Sequence, residues 1–454
     1  MKILSTISTC VLLLVIVSCE EFVTIDPPVT QITRSAVFSS DANALSAVAG
    51  LYSQMMDNGT RFTSGESSIT VLTGLSADEL DDQTGGSEYS QFHLNQLTPV
   101  NSRVYSLWSD LYTTIYAANS IIEGLQSSTG VSVSMNRQLM GEAKFIRAFC
   151  HFYLANTFGN IPLVTTTVYD VNSRVSRSST DEVYASVVAD LKDSQQLLAD
   201  VAIQSKSRVS KWASTALLAR VYLYAQDWAN AEVESARILD AGTFLLEPEL
   251  VGTFSVDSRE AIWQLQPVVP GYNTFDGNVF ILTEVPTLVS LRDGLLNYFE
   301  DADKRRAVWI NSFSSNDITY YFPYKYQVKI GDEITENLMV LRLSEQYLIR
   351  AEARAMQGNT ASAVADLNII RQRAGLDDVP ETIGETACLD AIVHERLCEL
   401  FCEWGHRWYD LKRTQRADAV LSYKPSWSGS AVLYPIPQIE IQNNTNLLPQ
   451  NAGY

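Results

Sequence analysis

Apolar residues recur at helical spacing over long parts of the chain. The pattern predicts helices over Asp41–Met56, Tyr105–Ile122 and Met135–Phe158, where apolar side chains fall three or four positions apart. Such spacing gives each helix one apolar face, and that face needs a core to pack against. These three segments therefore predict helices that pack together.

Two further stretches each predict a pair of helices joined by a tight turn. The first pair is Trp212–Ala225 with Asp227–Leu239, and the second is Leu341–Met356 with Thr360–Arg373. The second helix of each pair opens with small residues that permit close packing. Such pairs indicate tetratricopeptide-like hairpins, although an ordinary helical bundle has similar spacing and stays an alternative.

Two segments lack the helical period. Residues 57–102 are rich in Gly, Ser, Thr, Asn and Asp, which predicts a long loop, and residues 247–335 are interrupted by Pro and Gly and carry scattered aromatics. Glu260–Val268 predicts a strand within the second segment. The expected fold is all-α: tetratricopeptide-like helical hairpins support a loop-rich, irregular ligand-binding region with minor β structure.

A charged helix is predicted over residues 387–404, with Arg396 in the middle of its apolar arc. A guanidinium keeps its charge, so Arg396 should be paired, and Glu399 and Glu403 lie one and two turns further along the same edge. Glu395, Glu399 and Glu403 form a row that could instead supply acid/base carboxylates. No sequence feature indicates the cleft which that chemistry needs, so a structural ion pair is the favoured interpretation.

His394, Cys398, Cys402 and His406 form a second row at helical spacing, and it imitates a metal site. Positions 394 and 402 would be separated by ~12 Å along a helix, so one zinc ion could take an adjacent pair but not the row. Small buried cysteines are the favoured interpretation, and neither a metal nor a cofactor is predicted.

Composition excludes some classes of partner. The chain has 454 residues, and a hydrophobic content of 46% indicates a folded protein with a large core. The formal charge of −19 argues against nucleic acid or an anionic membrane surface as partner, because both attract basic patches. A neutral or weakly polar ligand fits this charge better.

The first residues predict a targeting segment. Lys2 precedes an apolar run that ends at Ile16-Val17-Ser18-Cys19, which resembles a bacterial lipobox. The resemblance implies a lipoprotein signal peptide at residues 1–18 and lipidation of Cys19, whereas a signal peptide with a coincidental cysteine is the alternative. Glu20-Glu21 resembles the export signal of surface-exposed lipoproteins. A single mature domain at 19–454 is expected.

Several blocks resemble the SusD/RagB family of outer-membrane nutrient-binding lipoproteins, and they occur in the family's order. The specific ones are the helical pair within Leu341–Leu376, the charged stretch Glu395–Arg413 (ERLCELFCEWGHRWYDLKR) and the tail Tyr434–Tyr454 with PIPQIE and LLPQNAGY. The earlier blocks are Cys19, Leu107–Ile122, Glu142–Leu163, Lys211–Leu223, Glu260–Gln266, Phe299–Arg306 and Lys325-Tyr326. The resemblance covers nearly the whole chain.

This resemblance implies a binding function without catalysis. A lipid-anchored protein of the outer membrane would capture an oligosaccharide, or in some members a peptide, and deliver it to a SusC-like TonB-dependent transporter. A surface hydrolase is a third hypothesis, but the chain lacks Gly-x-Ser-x-Gly and His-Glu-x-x-His motifs.

The resemblance places the family's ligand face in the two irregular segments. Sugar rings stack on aromatic planes, and their hydroxyls bond to polar side chains. The residues predicted as ligand contacts on this basis are Glu79, Tyr89, Phe92, Tyr272, Phe275 and Trp309. The acidic cluster at Asp78, Glu79, Asp81 and Asp82 could instead bind calcium, but it lacks the spaced ligands and terminal glutamate of an EF-hand.

Overall fold

The computed structural model describes residues 34–454, with side chains from residue 36 onward. The predicted signal peptide at 1–18 and lipidation site at Cys19 lie outside the described residues, and the division into a signal peptide and one domain stays a prediction. The described helices are α1 (Arg34–Val37), α2 (Asp41–Met56), α3 (Ile69–Ser76), α4 (Glu88–His93), α5 (Ser102–Ser127), α6 (Val133–Phe158), α7 (Tyr169–Asn172), α8 (Thr180–Leu197), α9 (Lys211–Tyr224), α10 (Trp228–Asp240), α11 (Phe275–Phe280), α12 (Asp293–Leu296), α13 (Lys304–Trp309), α14 (Leu343–Met356), α15 (Thr360–Ala374), α16 (Glu385–Leu400), α17 (His406–Arg413), α18 (Ala417–Leu421) and α19 (Gln438–Asn443).

The strands are short. They are β1 (Leu80–Asp82), β2 (Ile161–Pro162), β3 (Arg177–Ser178), β4 (Ala261–Leu265), β5 (Val289–Leu291), β6 (Ile310–Ser315), β7 (Ile318–Pro323) and β8 (Leu338–Arg342). One sheet has the order β1-β5-β7-β6, and β2 pairs with β3 and β4 with β8, all antiparallel. Helix accounts for 53% of the chain, which confirms the predicted all-α fold with minor β structure.

The long helices begin at side chains that cap them. Asn101, Ser132 and Ser179 accept hydrogen bonds from backbone N–H groups in the first turns of α5, α6 and α8. Helix α6 packs against both α5 and α8 and is buried along most of its length, so it forms the centre of the N-terminal half of the core. None of the helices in residues 34–454 is long and apolar enough to cross a membrane.

Both predicted hairpins are present, and their ends differ from prediction by one or two residues. The α9–α10 turn places Gln226 at φ +59°, and the α14–α15 turn places Gly358 at φ +79°, the left-handed conformation that closes a short connection. Helix α10 packs against α14, so the two hairpins are neighbours in space although about a hundred residues separate them.

Residues 57–102 were predicted as a loop, and this prediction was wrong. The segment contains α3, β1 and α4, and every residue of α3 is buried. Its small polar side chains are compatible with burial because they bond to their own backbone. Thr73 Oγ1 donates to the Ile69 carbonyl oxygen at 2.6 Å, and Ser76 Oγ donates to that of Leu72 at 3.1 Å.

The predicted helix over residues 387–404 ends earlier, at Leu400. The chain then turns sharply through Cys402 (φ +50°), Trp404 (φ +49°) and Gly405 (φ +73°) before α17 begins. Distant side chains hold the turn. The Glu79 carboxylate accepts from the Cys402 N–H at 2.9 Å, and Thr70 Oγ1 accepts from the Trp404 N–H at 3.0 Å.

Arg396 is paired as expected, but its partner differs from prediction. Its guanidinium bonds to Asp410 of α17 at 2.8 Å and 3.2 Å, and not to Glu399 or Glu403. The sharp turn at 401–405 explains the difference, because it brings α17 back beside α16.

The glutamates of α16 belong instead to a buried ion-pair network. Glu399 accepts from Arg305 Nη1 at 3.0 Å and also bonds to Arg342 and Arg373. Glu403 accepts from Arg342 Nε at 2.8 Å. We define the network as five carboxylates and five cations, namely Glu260, Asp303, Glu395, Glu399 and Glu403 with Arg305, Lys325, Arg342, Arg371 and Arg373.

Electrostatics within the network keep Glu399 ionised. Burial alone raises the pKa of this carboxyl, but the Coulombic attraction of Arg373, Arg342 and Arg305 outweighs burial and holds the pKa well below its ordinary value. Glu403 behaves alike, since Arg342 and Lys325 overcome the effect of burial and lower its pKa. The network is thus a set of full charges in the core, and each charge depends on the others.

Replacing Glu399 by Gln should destabilise the fold strongly. Three guanidinium groups would lose the carboxylate that they share, and breaking a buried pair from one side costs about 3–5 kcal/mol. Urea unfolding followed by circular dichroism measures the change.

Glu385→Gln is the matched control, because Glu385 is exposed in the first turn of the same helix. Its free energy of unfolding should change by no more than about 0.5 kcal/mol. Equal, small effects for the two variants would contradict the network's role.

Candidate functional site

Two aromatic rings of the irregular segment form a pair at the start of α11. The centroids of Tyr272 and Phe275 lie 5.0 Å apart with 37° between the ring planes, and both side chains are half-buried. Each ring therefore keeps part of its surface free for a ligand. Both residues were predicted as contacts, and the structure places them together.

Buried polar groups between and beside the rings fix this pair. Thr274 caps α11 by accepting the Gly277 N–H at 2.9 Å, and the Asp276 carboxylate accepts the Gly65 N–H at 2.9 Å. Asn273 bridges to a neighbouring loop, since its Oδ1 accepts from the Thr335 and Glu336 N–H groups at 2.7 Å and 3.0 Å. The backbone that carries the rings is therefore held from two sides.

The loop at residues 57–66 packs directly against Phe275. A Cβ atom at Gly59 would lie 2.9 Å from the Phe275 ring, and one at Gly65 would lie 2.0 Å from the Gly59 carbonyl oxygen. Gly65 also has a φ of +85°, which side chains rarely adopt. Both positions therefore require glycine for the loop to reach the ring. Asn58 and Thr60 flank Gly59 in this loop and are exposed, whereas Arg61 is paired with Asp57 and Asp110.

Asp276 is buried without an opposite charge close to it. Burial raises the pKa of its carboxyl to about 7, and the hydrogen bond from Gly65 only partly opposes the shift. This carboxyl therefore takes up a proton at higher pH than an exposed aspartate does.

The other predicted contacts are buried and have structural partners. Phe92 packs edge-on against Tyr434 at 5.4 Å, the Arg103 guanidinium lies 4.8 Å from the Tyr89 ring, and Glu79 holds the turn after α16. The Trp309 indole N–H donates to the Leu250 carbonyl oxygen at 3.1 Å, and its ring lies 4.9 Å from Lys325 of the network. Their burial assigns these side chains to the core, because a buried ring or carboxylate offers a ligand no free surface.

The acidic cluster considered for calcium is divided among separate partners. Asp78 forms a bidentate pair with Arg407 at 2.7 Å, Asp81 lies 4.0 Å from His93, and Asp82 accepts from the Thr84 N–H at 2.9 Å. Consecutive side chains of β1 point to opposite sides, which spreads these carboxylates.

A cavity that the sequence did not indicate lies between α5, α7 and α19. It has a volume of about 490 Å³ and is lined by Trp108, Tyr112, Tyr169 and Glu440, among others. Tyr169 is 80% exposed, and the Trp108 and Tyr112 rings lie 4.9 Å apart. More than 300 residues separate Trp108 from Glu440, so no local motif marks the cavity.

Comparison with known proteins identifies the family. Residues 41–223 match a family model described as "Starch-binding associating with outer membrane", and residues 298–427 match the model of the SusD family. Together the two matches span more than half of the chain. The protein belongs to the SusD family.

Several relatives of this SusD-family protein match it over nearly their whole length. A SusD-like protein of Formosa agariphila is 24% identical over 98% of this chain and 98% of its own. A SusD superfamily protein from Bacteroides vulgatus has a TM-score of 0.80 at 20% identity, covering 92% of this chain and 100% of that chain. A laminarin-binding SusD-like protein has a TM-score of 0.76 at 24% identity, with the same coverage. The two structural matches show a shared fold.

Asp276→Asn should reduce the pH dependence of folding. The pKa of this carboxyl is about 7 in the folded protein and near 3.8 for an exposed aspartate, so it binds a proton more tightly in the folded state. Its contribution to stability is therefore greatest in acid and falls as pH rises from about 4 to 7. The amide accepts the same bond from Gly65 without charge, so the variant should be more stable than wild type at pH 8.

Urea unfolding at pH 5 and pH 8 measures this difference. Asp301→Asn is the control, since Asp301 is exposed and should leave the wild-type pH dependence unchanged. A pH dependence of Asp276→Asn identical to wild type would contradict the assignment.

Proposed function

We propose that this SusD-family protein captures an oligosaccharide at the cell surface and delivers it to a SusC-like TonB-dependent transporter without chemical change. The observation that carries the proposal is the fixed, half-exposed ring pair of Tyr272 and Phe275. Lipidation at Cys19 would hold the protein on the outer membrane, beside that transporter.

The ring pair suits a neutral glycan. The face of a pyranose is apolar and packs on an aromatic plane, while its hydroxyls need hydrogen-bonding partners at the edge. The neighbouring loop offers the exposed side chains of Asn58 and Thr60, which flank the glycine that contacts Phe275. The rings are fixed by Asn273 and Asp276, so binding orders few side chains and little conformational entropy is lost.

Comparisons support a glycan over other nutrients. One protein of the same fold is described as laminarin-binding, and the family model that matches residues 41–223 is described as starch-binding. Both ligands are neutral glucans, which agrees with the strongly acidic charge of this chain.

The same scaffold could bind a peptide or another nutrient instead. Calorimetry against a panel of neutral glucans and a panel of peptides separates the two hypotheses. Tight peptide binding with no response to any glycan would reject our proposal. Release of shorter products from a glycan by the purified protein would establish a hydrolase.

Delivery to a transporter has its own test. Gentle solubilisation of the native outer membrane should co-purify the protein with a TonB-dependent channel. Cys19→Ala should remove the lipid anchor and shift the protein from the membrane to the soluble fraction. A Cys19→Ala variant that stays in the membrane would reject the anchor.

Tyr272→Ala and Phe275→Ala should each weaken binding of the glucan that the panel identifies by about tenfold or more, because each removes a stacking plane. Isothermal calorimetry measures the loss, and thermal unfolding checks that the variants are folded.

Two further tyrosines make the test specific. Tyr116→Ala is the matched control, since this exposed tyrosine of α5 lies outside both candidate surfaces, and it should bind as wild type does. Tyr169→Ala probes the cavity between α5 and α19. Loss of binding in Tyr169→Ala, with normal binding in both ring variants, would move the glycan site to that cavity.

A further inference from the structure

A second cavity lies where the end of α6 meets α17 and the C-terminal tail. Its volume is about 410 Å³, and its lining includes Asn156, Arg177, Tyr224, Lys412 and Asn451. It shares none of its lining with the Tyr272–Phe275 ring pair. Its size is in the range of small-molecule sites.

Two cations in this lining have only neutral partners. Lys412 Nζ donates to the Asn156 carbonyl oxygen. Arg177 Nε donates to the Asn160 carbonyl oxygen at 2.7 Å, and its Nη atoms donate to the Pro449 carbonyl oxygen and the Asn451 side chain at 2.5 Å. Within residues 36–454, neither cation forms an ion pair with a carboxylate.

Arg413, the third cation in the cavity lining, does have carboxylate partners. Arg413, next to Lys412 in the chain, bonds to both Glu352 and Asp410 at 2.7 Å. The chain has 52 acidic residues against 33 Lys and Arg, so carboxylates are abundant. Lys412 and Arg177 thus line this cavity without a carboxylate partner, whereas Arg413 has two.

Burial makes the missing counter-charge costly. It lowers the pKa of Lys412 to about 7, and it lowers the pKa of Arg177 as well, although the negative charge of Tyr112 in its ionised form would oppose the shift at Arg177. An anion in the cavity would supply the missing charge and would favour the protonated lysine.

We propose that this cavity binds the anionic group of a small polar ligand, a carboxylate or a sulfate, with Lys412 and Arg177 as its counter-charges. The guanidinium offers planar, directed donors, and the ammonium supplies a compact charge. Asn156, Asn160 and Asn451 hold these two side chains in the cavity wall. This proposal does not depend on the Tyr272–Phe275 ring pair. It assigns an anionic ligand to the cavity, whereas the ring pair is proposed to bind a neutral glycan.

Calorimetry with sodium sulfate, sodium glucuronate and glucose tests the proposal at constant ionic strength. Sulfate represents a free inorganic anion, glucuronate an anion carried on a sugar, and glucose its neutral counterpart. Saturable binding of either anion without binding of glucose at this cavity is expected. Tighter binding of glucuronate than of sulfate would identify a sugar acid as the ligand class. No saturable binding of either anion would overturn the proposal.

Lys412→Met and Arg177→Gln should each weaken anion binding roughly tenfold or more. Lys412→Met should also raise the melting temperature in chloride, because it replaces a half-buried charge that has no carboxylate partner by an apolar side chain of similar length. A structural lysine would give the opposite sign. Lys192→Met, at an exposed lysine of α8, is the matched control and should change neither quantity.

A pH series gives a readout that misfolding cannot imitate. The other titratable groups of the lining are Arg177, Arg413, Tyr224 and Tyr409, and burial raises the pKa of both phenols further above neutrality. Lys412 is therefore the group of this lining that loses its charge near pH 7. Sulfate affinity should fall as the pH rises through about 7 and should level off near the affinity of Lys412→Met, because Arg177 keeps its charge. An affinity that stays constant from pH 6 to pH 9, or is equal in wild type and Lys412→Met at pH 6, would overturn the assignment. Glycan binding by the ring pair would be unaffected by that result.

Discussion

The buried ion-pair network around Glu399 joins parts of the chain that are distant in sequence. Arg305 comes from the irregular segment, Arg342 ends β8, Arg373 lies in α15 and Glu399 lies in α16. A charge taken out of water needs its partners in place, so each of these elements must adopt its native position before any of the charges is satisfied. We infer that the network fixes the position of the irregular segment relative to the helical hairpins. Apolar packing alone would discriminate less between alternative positions.

The network also reaches the aromatic ring pair. Lys325 bonds to Glu403 and to the carbonyl oxygens of Glu399 and Phe401 at 2.9 Å and 2.8 Å. The next residue, Tyr326, packs against Gly277 of α11 and accepts the Met339 N–H at 2.9 Å. The helix that carries Phe275 is therefore connected to the charged core through two consecutive residues. This connection explains how an irregular segment presents a fixed binding surface.

Charge balance distinguishes the core from the cavity beside α17. In the network every cation has a carboxylate, and the attraction outweighs the effect of burial on Glu399. In the cavity, Lys412 and Arg177 have backbone and amide oxygens only, and burial dominates. The network satisfies its own charges, whereas the proposed anion would supply the counter-charge for Lys412 and Arg177, which are both half-buried. The same two residue types thus serve stability in one place and recognition in the other.

The sequence by itself determined the elements whose signals are local. Apolar spacing predicted α2, α6 and both hairpins within one or two residues and α5 within five, and the order of the family's blocks predicted the fold. Tertiary structure alone decided what depends on distant neighbours. Residues 57–102 looked like a loop because their serines and threonines are polar, yet these side chains bond within α3 and are buried. Arg396 found Asp410 because three left-handed residues, two of them not glycine, end α16 early. Tyr272 and Phe275 remain half-exposed, whereas Trp309 is buried beneath Lys325. Whether a given aromatic ring is buried depends on residues that are distant in sequence. A local sequence pattern therefore does not predict it.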